Sequence, residues 1–208
     1  MDYTAIDFET ANQNRGSACA VGLVRVSGGA ITEQRRWLIT PPAAYPHFDN
    51  HNIAIHGIGA SAIRVAPQWP DMLDAIVGFI GDDVVVAHNA SFDIGVIRHA
   101  CRSEGIACPP LRFLCTLALA RRLLSQSSHR LPDVLVGVGE QLAGTHHDPL
   151  FDALAVTRIV AGLARRHQVD TLDALATRAG VSFGTLGPGD AYQPSAARSR
   201  GMATRTPW

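Results

Sequence analysis

The sequence predicts an α/β domain in which helices flank a mixed β-sheet. Three short β-rich runs open the chain at residues 3–9, 19–26 and 31–39, separated by polar or glycine-containing turns. Strand and helix patterns alternate from residue 69 onward. An antiparallel meander followed by such alternation is typical of a sheet with both antiparallel and parallel strands. A chain of 208 residues with 47% apolar residues can bury one core, which favours a single domain.

The later elements follow from apolar spacing. Four prolines interrupt residues 41–68, which predicts a long surface connection. The compact apolar runs at 84–87 and 112–115 predict the fourth and fifth strands of the sheet. Helical spacing of apolar residues predicts helices at 69–80, from about Ser91 to Gly105, and at 116–124, 131–142, 149–167 and 170–179.

The composition changes after about residue 183. Gly, Pro, Ser, Ala and Arg dominate there, and no acid follows Asp190 to offset the arginines at 198, 200 and 205. We therefore predict a folded domain over residues 1–182 and a disordered tail over residues 183–208. The alternative is a basic arm that meets DNA or a partner protein.

Charge and hydropathy exclude some classes of protein. Eighteen arginines balance eighteen acids and there is no lysine, so bulk charge does not favour a protein that coats nucleic acid. The acidic N-terminus does not fit a signal peptide, and no apolar run reaches the ~18 residues of a membrane span. The four cysteines form no C-x-x-C pair, which favours reduced thiols over a zinc site. We expect a cytoplasmic protein with no membrane partner.

Two acids share one face of the first predicted strand. Asp7 and Glu9 are two residues apart, so they project to the same side while Ile6 and Phe8 face the other layer. Two such carboxylates repel by ~4 kcal/mol at 4 Å if the effective dielectric constant is ~20. Mg²⁺ or Mn²⁺, which favour oxygen ligands, would offset this repulsion. The alternative is an edge strand with two solvated acids.

A further acid, Asp93, falls in the first turn of the helix that follows the strand VVVA. Sites tend to form at the carboxyl ends of strands in α/β sheets. The alternative is that Asp93 complements the positive end of the helix.

A histidine and an acid flank the start of another predicted helix, in HHDPLFDA. Pro149 suits the first helical position and Asp148 the N-cap, so Asp152 lies about one turn into the helix. His147 lies in the loop just before it, a position that suits a proton acceptor near a metal-bound water. On these grounds His146 remains its competitor.

Taken together, D-F-E-T at 7–10, A-H-N-A-S-F-D at 87–93 and H-x-x-x-x-D at 147–152 resemble the three motifs of the DEDDh, or DnaQ-like, exonuclease family. That family includes the polymerase III ε-type proofreading subunits. The resemblance covers about residues 3–167, and IHGI at 55–58 resembles the family's connection between the third strand and the first helix. The family's histidine stands five residues before the last Asp, which selects His147.

The resemblance implies a ribonuclease-H-like fold and a 3′→5′ exonuclease that releases nucleoside monophosphates with two divalent cations, Mg²⁺ or Mn²⁺. It implies metal ligation by Asp7, Glu9, Asp93 and Asp152, with His147 as the base. The candidate substrate contacts are Thr10, His56, Gly57, Ile58, His88, Asn89 and Phe92.

Single-stranded or frayed 3′ ends of DNA are the expected substrate. The alternatives are an RNA-trimming exoribonuclease of the same family and a non-catalytic nucleic-acid-binding module. The resemblance leaves open whether the protein acts alone or with a replicative polymerase or a repair protein.

Overall fold

Seven strands form one mixed sheet in a computed structural model that describes residues 1–144 and 146–198. The sheet order is β3-β2-β1-β4-β5-β6-β7, in which β1, β4 and β5 are parallel and the other neighbours antiparallel. The strands are β1 (Tyr3–Thr10), β2 (Ala18–Ser27), β3 (Ala30–Leu38), β4 (Val85–Ala87), β5 (Leu111–Cys115), β6 (Gly184–Gly187) and β7 (Ala191–Gln193). The helices are α1 (Asn50–His56), α2 (Trp69–Ile80), α3 (Ser91–Glu104), α4 (Thr116–Leu123), α5 (Leu131–Gly137), α6 (Pro149–His167) and α7 (Leu172–Ala179).

The mixed α/β fold is confirmed, but the predicted number of strands, five, is wrong. Strands β6 and β7 lie in the predicted disordered tail, where β6 pairs antiparallel with β5. Gly184 allows this pairing because a Cβ there would lie 2.2 Å from Cζ of Phe113, and Leu186 is buried in the core. The composition of this segment suggested disorder because it contains few apolar residues. The edge of an existing sheet, however, offers unpaired backbone N–H and C=O groups, so a hairpin can pair there with few apolar side chains. Residues 199–208 of the predicted tail lie outside the described residues.

Helices cover both faces of the sheet and divide the core into two layers. Trp69 of α2 and Ile94 of α3 pack with Ile6 and Phe8 on one face. Helices α4 to α7 cover the other face. Because side chains alternate along β1, Asp7 and Glu9 point away from Ile6 and Phe8, as predicted, and toward α6. Within residues 1–144 and 146–198, no helix combines the length and apolarity needed to cross a membrane.

A glycine lets α6 approach the sheet closely beside β1. Gly22 of β2 is the antiparallel partner of Asp7, and a Cβ at Gly22 would lie 2.0 Å from the Pro149 carbonyl oxygen. The first turn of α6, which carries Asp152, therefore lies against the sheet next to Asp7. On the other side of β1, α3 begins four residues after β4 and carries Asp93 in its first turn.

Candidate active site

Three carboxylates converge where β1 meets the first turn of α6. One oxygen from each of Asp7, Glu9 and Asp152 lies within 4.8 Å of the others. Glu9 and Asp152 are buried, whereas Asp7 is partly exposed. Among the described residues, no side chain donates a hydrogen bond to Asp7 or Glu9, so the buried Glu9 lacks the partner that a buried carboxylate normally has.

Asp93 stands behind this group of three. It is buried, and its Oδ1 accepts a 3.0 Å hydrogen bond from the backbone N–H of Phe8, the residue between the two acids of β1. Repulsion from the Asp93 carboxylate also raises the pKa of Asp7. The structure thus brings all four predicted acids to one place, three in mutual reach and the fourth beside them.

The electrostatics of the cluster favour protonated acids when no cation is bound. Burial, followed by repulsion from Asp93, Asp152 and Glu9, raises the pKa of Asp7 well above its usual range. Burial and then Asp152 raise the pKa of Glu9 to about 8, and burial raises the pKa of Asp93 to about 8. Carboxylate oxygens that repel one another, with no described side chain donating to those of Asp7 and Glu9, fit a hard divalent cation such as Mg²⁺ or Mn²⁺.

Both histidines before α6 contact Asp152. The backbone N–H of His147 donates to Asp152 Oδ2 at 3.0 Å, and Nδ1 of His146 lies 2.7 Å from Asp152 Oδ1. The two rings stack with centroids 3.9 Å apart. Burial and the neighbouring His146 lower the pKa of His147, which favours the neutral imidazole that a proton acceptor needs.

The predicted N-cap of α6 is confirmed, since the Asp148 carboxylate accepts hydrogen bonds from the backbone N–H groups of Leu150 and Phe151.

An open cleft of about 570 Å³ is lined by Asp7, Glu9, Asp152 and the two histidines before α6, whereas Asp93 lies outside its lining. Four predicted substrate contacts also line it: Thr10, His56, His88 and Phe92. The two imidazole rings among these contacts are already within hydrogen-bonding distance of protein groups. Nε2 of His56 lies 3.1 Å from the Thr10 carbonyl oxygen. The His88 ring lies between the Thr116 hydroxyl and the His129 carbonyl oxygen. Burial lowers the pKa of His88 to about 4, so this ring is neutral.

The other three predicted contacts lie outside the cleft lining. Ile58 is buried in a small core cluster with Ala11 and Ala20. Gly57 ends α1 in the left-handed conformation, at φ 74°. Asn89, at φ 63°, lines a neighbouring pocket beside Ser91. Sequence spacing could not separate these residues from cleft residues because all of them lie next to motif residues.

Sequence inspection missed six other residues that line the cleft: Asn12, Gln13, His51, Asn52, Ile55 and Leu131. Three of them belong to α1, which lies in the segment predicted to be an irregular connection. Asn52 donates to the Thr10 carbonyl at 2.9 Å and so fixes α1 against the end of β1. The spacing of residues 51, 52, 55 and 56 on one side of a helical turn was the available signal.

Comparisons with known proteins agree with this architecture. A family model described as an exonuclease, RNase_T, matches residues 4–160. A protein of Mycobacterium tuberculosis named for bifunctional exonuclease and endonuclease activity is 34% identical over 77% of this chain and 23% of its own length. A PolC-type DNA polymerase III of Thermotoga maritima is 27% identical over 76% of this chain and 11% of its own. The chain therefore spans less than a quarter of these relatives.

Solved structures share the fold. Exonuclease X in complex with 5′-overhanging duplex DNA matches with a TM-score of 0.68 and 24% identity, covering 86% of this chain and 99% of that one. The nuclease domain of 3′hExo, a DEDDh family member bound to rAMP, matches with a TM-score of 0.69 and 16% identity, covering 81% and 94%.

Proposed function

The chain belongs to the RNase_T exonuclease family, and from that premise we propose that it is a metal-dependent 3′→5′ exonuclease acting on single-stranded or frayed 3′ ends of DNA. The observation that carries the proposal is the group formed by Asp7, Glu9 and Asp152, with Asp93 beside it. These are the acids of the three motifs, and Asp7, Glu9 and Asp152 line a cleft large enough for a terminal nucleotide.

The chemistry assigned to the site is phosphodiester hydrolysis. Asp7, Glu9, Asp93 and Asp152 would hold two divalent cations, Mg²⁺ or Mn²⁺, which supply charge to activate water and to stabilise the leaving 3′ oxygen. His147 would accept the proton of the attacking water at its ring, and its lowered pKa keeps that ring available at neutral pH. Phe92 and Ile55 offer apolar surface to the terminal nucleoside, and Thr10 offers a hydroxyl.

The preference for DNA rests on two relatives. Exonuclease X is described with duplex DNA, and the PolC-type polymerases are DNA polymerases. RNA trimming is the second candidate, because the 3′hExo domain of equal structural similarity is bound to rAMP. Association with a polymerase or a repair protein is proposed on the same relatives, since the matching segment lies within a much longer chain in the PolC-type proteins.

The experiment compares DNA and RNA oligonucleotides of one sequence, each labelled at either the 5′ or the 3′ end. With Mg²⁺ or Mn²⁺ we expect a ladder of 5′-labelled products shortened from the 3′ end, immediate release of the 3′ label as a mononucleotide, and no cleavage in EDTA. Asp7→Asn should abolish cleavage. Internal cuts, loss of the 5′ label first, or full activity in EDTA or in Asp7→Asn would overturn the assignment. Binding without cleavage would identify a non-catalytic module.

A further inference from the structure

An arginine-rich surface runs along α3 beside the catalytic cleft. Arg15, Arg98 and Arg102 form this surface, here named the α3 track. We propose that the α3 track is a second binding site, which takes the phosphodiester backbone of the cleaved strand upstream of the scissile bond. The inference rests on the proposed nuclease function and deepens it, because it concerns nucleotides that the cleft does not hold.

Arg15 is held at the rim of the cleft. Its guanidinium donates to the Ser91 carbonyl at 3.3 Å, one residue before Phe92, which lines the cleft. The side chain lies across Gly95, where a Cβ would be 3.1 Å from Nη1 of Arg15. The same loop is seated on α3 because Gly16 has no side chain, and a Cβ there would be 3.0 Å from the His99 carbonyl carbon. The position of the Arg15 guanidinium is therefore fixed by packing against α3.

The other two arginines continue the track away from the cleft. They lie seven and eleven residues after Ser91, which at ~1.5 Å per residue places them ~10 and ~16 Å further along the helix axis. Arg98 pairs with Asp190 at 2.5 Å and lies over the Tyr192 ring, 4.5 Å from its centroid. Arg102 pairs with the same Asp190 carboxylate.

Within the described part of the chain, the ion pairs on this surface leave one of its arginines without an acid partner. After burial, the arginines of the α3 track are the main cause that lowers the pKa of His99, and Asp190 is the acid that opposes them. Arg98 and Arg102 share one carboxylate, that of Asp190, and Arg15 pairs with no acid within residues 1–144 and 146–198. Arg102 has 63% of its side chain exposed and can reach a ligand.

A phosphate backbone is the ligand that this arrangement fits. The planar guanidinium fork matches phosphate oxygens, and a spaced row of cations matches a chain of phosphates rather than one anion. Of the residues that the structure describes, the acids Asp7, Glu9 and Asp152 line the cleft and no arginine does, so adjacent positive charge assists the capture of a strand. A dinucleotide has no phosphate beyond the one that is cleaved and gains nothing from the track.

Two substitutions of opposite sign test the proposal. Arg15→Gln removes a cation, whereas Asp190→Asn removes the opposing acid and retains an oxygen for Arg98; asparagine also tolerates the φ of 65° at this position. Arg178→Gln is the control, because Arg178 is an exposed arginine on α7, which packs on α4 and α6. Each is made in an Asp7→Asn background, and binding of a fluorescein-labelled 12-nucleotide single-stranded DNA is followed by anisotropy at several salt concentrations.

We expect Arg15→Gln to weaken binding about threefold to tenfold and to reduce the slope of log K against log salt by ~0.7, the value for one phosphate contact to a single strand. Asp190→Asn should tighten binding and steepen the slope. With Asp7 intact, Arg15→Gln should lower kcat/KM for the 12-mer but not for a dinucleotide.

Several results would overturn the track. These are an Arg15→Gln variant that binds like Arg178→Gln, weakened binding in both Arg15→Gln and Asp190→Asn, or an equal loss on the dinucleotide. If the wild-type protein cleaves nothing but the salt slopes change as expected, the track stands and the proposed nuclease function fails.

Discussion

At the scale of single residues, the cluster of acids is an unfavourable arrangement of charge until a cation is bound. Burial and mutual repulsion raise the pKa values of Asp7, Glu9 and Asp93 together. An acid whose folded-state pKa is raised destabilises the folded protein, beginning above its unfolded pKa and fully above its folded pKa. The site therefore lowers stability at neutral and alkaline pH, and a divalent cation reverses that effect.

Asp7→Asn should separate stability from activity. The amide keeps the shape and removes one buried charge, so in EDTA at pH 8 we expect the variant to have a higher Tm than the wild type. The difference should shrink toward pH 5, because the destabilisation grows as the pH rises from the unfolded pKa of the acids toward their raised folded pKa, and pH 5 lies near the start of that range. Mg²⁺ should raise the Tm of the wild type more than that of the variant. Thermal scans at both pH values check this, and a variant less stable than the wild type at pH 8 would contradict it.

The two adjacent histidines should differ in their effect on turnover. We expect His147→Ala to lower kcat by about 10²- to 10⁴-fold, the usual range for loss of a general base. His146→Ala should lower it far less, although the structure places the His146 ring 2.7 Å from Asp152. The measurement is kcat on one oligonucleotide at saturating Mg²⁺. Equal losses in the two variants would refute the assignment of the base by its spacing from Asp152.

At the scale of elements, close packing at one glycine positions α6. The sequence pattern predicted α6 and its N-cap Asp148, because proline, a capping acid and helical apolar spacing all act locally. The same pattern could not show that α6 crosses the sheet at Gly22, since that contact joins residues far apart in sequence. Helix α1 was missed for a related reason. A seven-residue helix has little stability of its own, and contacts such as Asn52 with the Thr10 carbonyl hold it.

Gly22→Ala should therefore damage both stability and catalysis. The new methyl group would lie 2.0 Å from the Pro149 carbonyl oxygen, so α6 must move away and carry Asp152 with it. We expect a loss of about 1–3 kcal/mol in the free energy of unfolding and a fall in kcat of about 100-fold, from denaturant melts and single-turnover kinetics.

Gly78→Ala is the matched control for this substitution. Gly78 lies in α2, and a Cβ there meets nothing within 4 Å. Alanine should stabilise the protein by about 0.5–1 kcal/mol and leave kcat unchanged. A Gly22→Ala variant that behaves like Gly78→Ala would show that the approach of α6 does not position Asp152.

At the scale of the whole molecule, the predictable part of the fold is the part with strong local patterns. Strands β1 to β5, α3 and the alternation of β1 side chains were all predicted from periodicity and turn signals. The sheet edge was not, because β6 and β7 are short and lie in a segment rich in Gly and Pro. Strand β6 is held by pairing with β5, and β7 by pairing with β6. The Tyr192 ring of β7 also packs on Phe113, with 6.0 Å between the ring centroids. Such contacts leave no periodic signal in the sequence.

Leu186→Ala tests whether the β6–β7 hairpin belongs to the cooperative unit. Leu186 is 3% exposed in the same core layer as Phe113, so its truncation should lower the free energy of unfolding by about 2–5 kcal/mol. Val65→Ala is the control because Val65 is 96% exposed, and it should change stability by less than about 0.5 kcal/mol. Denaturant melts should show one transition for both variants, with the midpoint lowered only in Leu186→Ala. A Leu186→Ala protein as stable as the Val65→Ala protein would mean that residues 184–193 are the disordered tail that composition suggested.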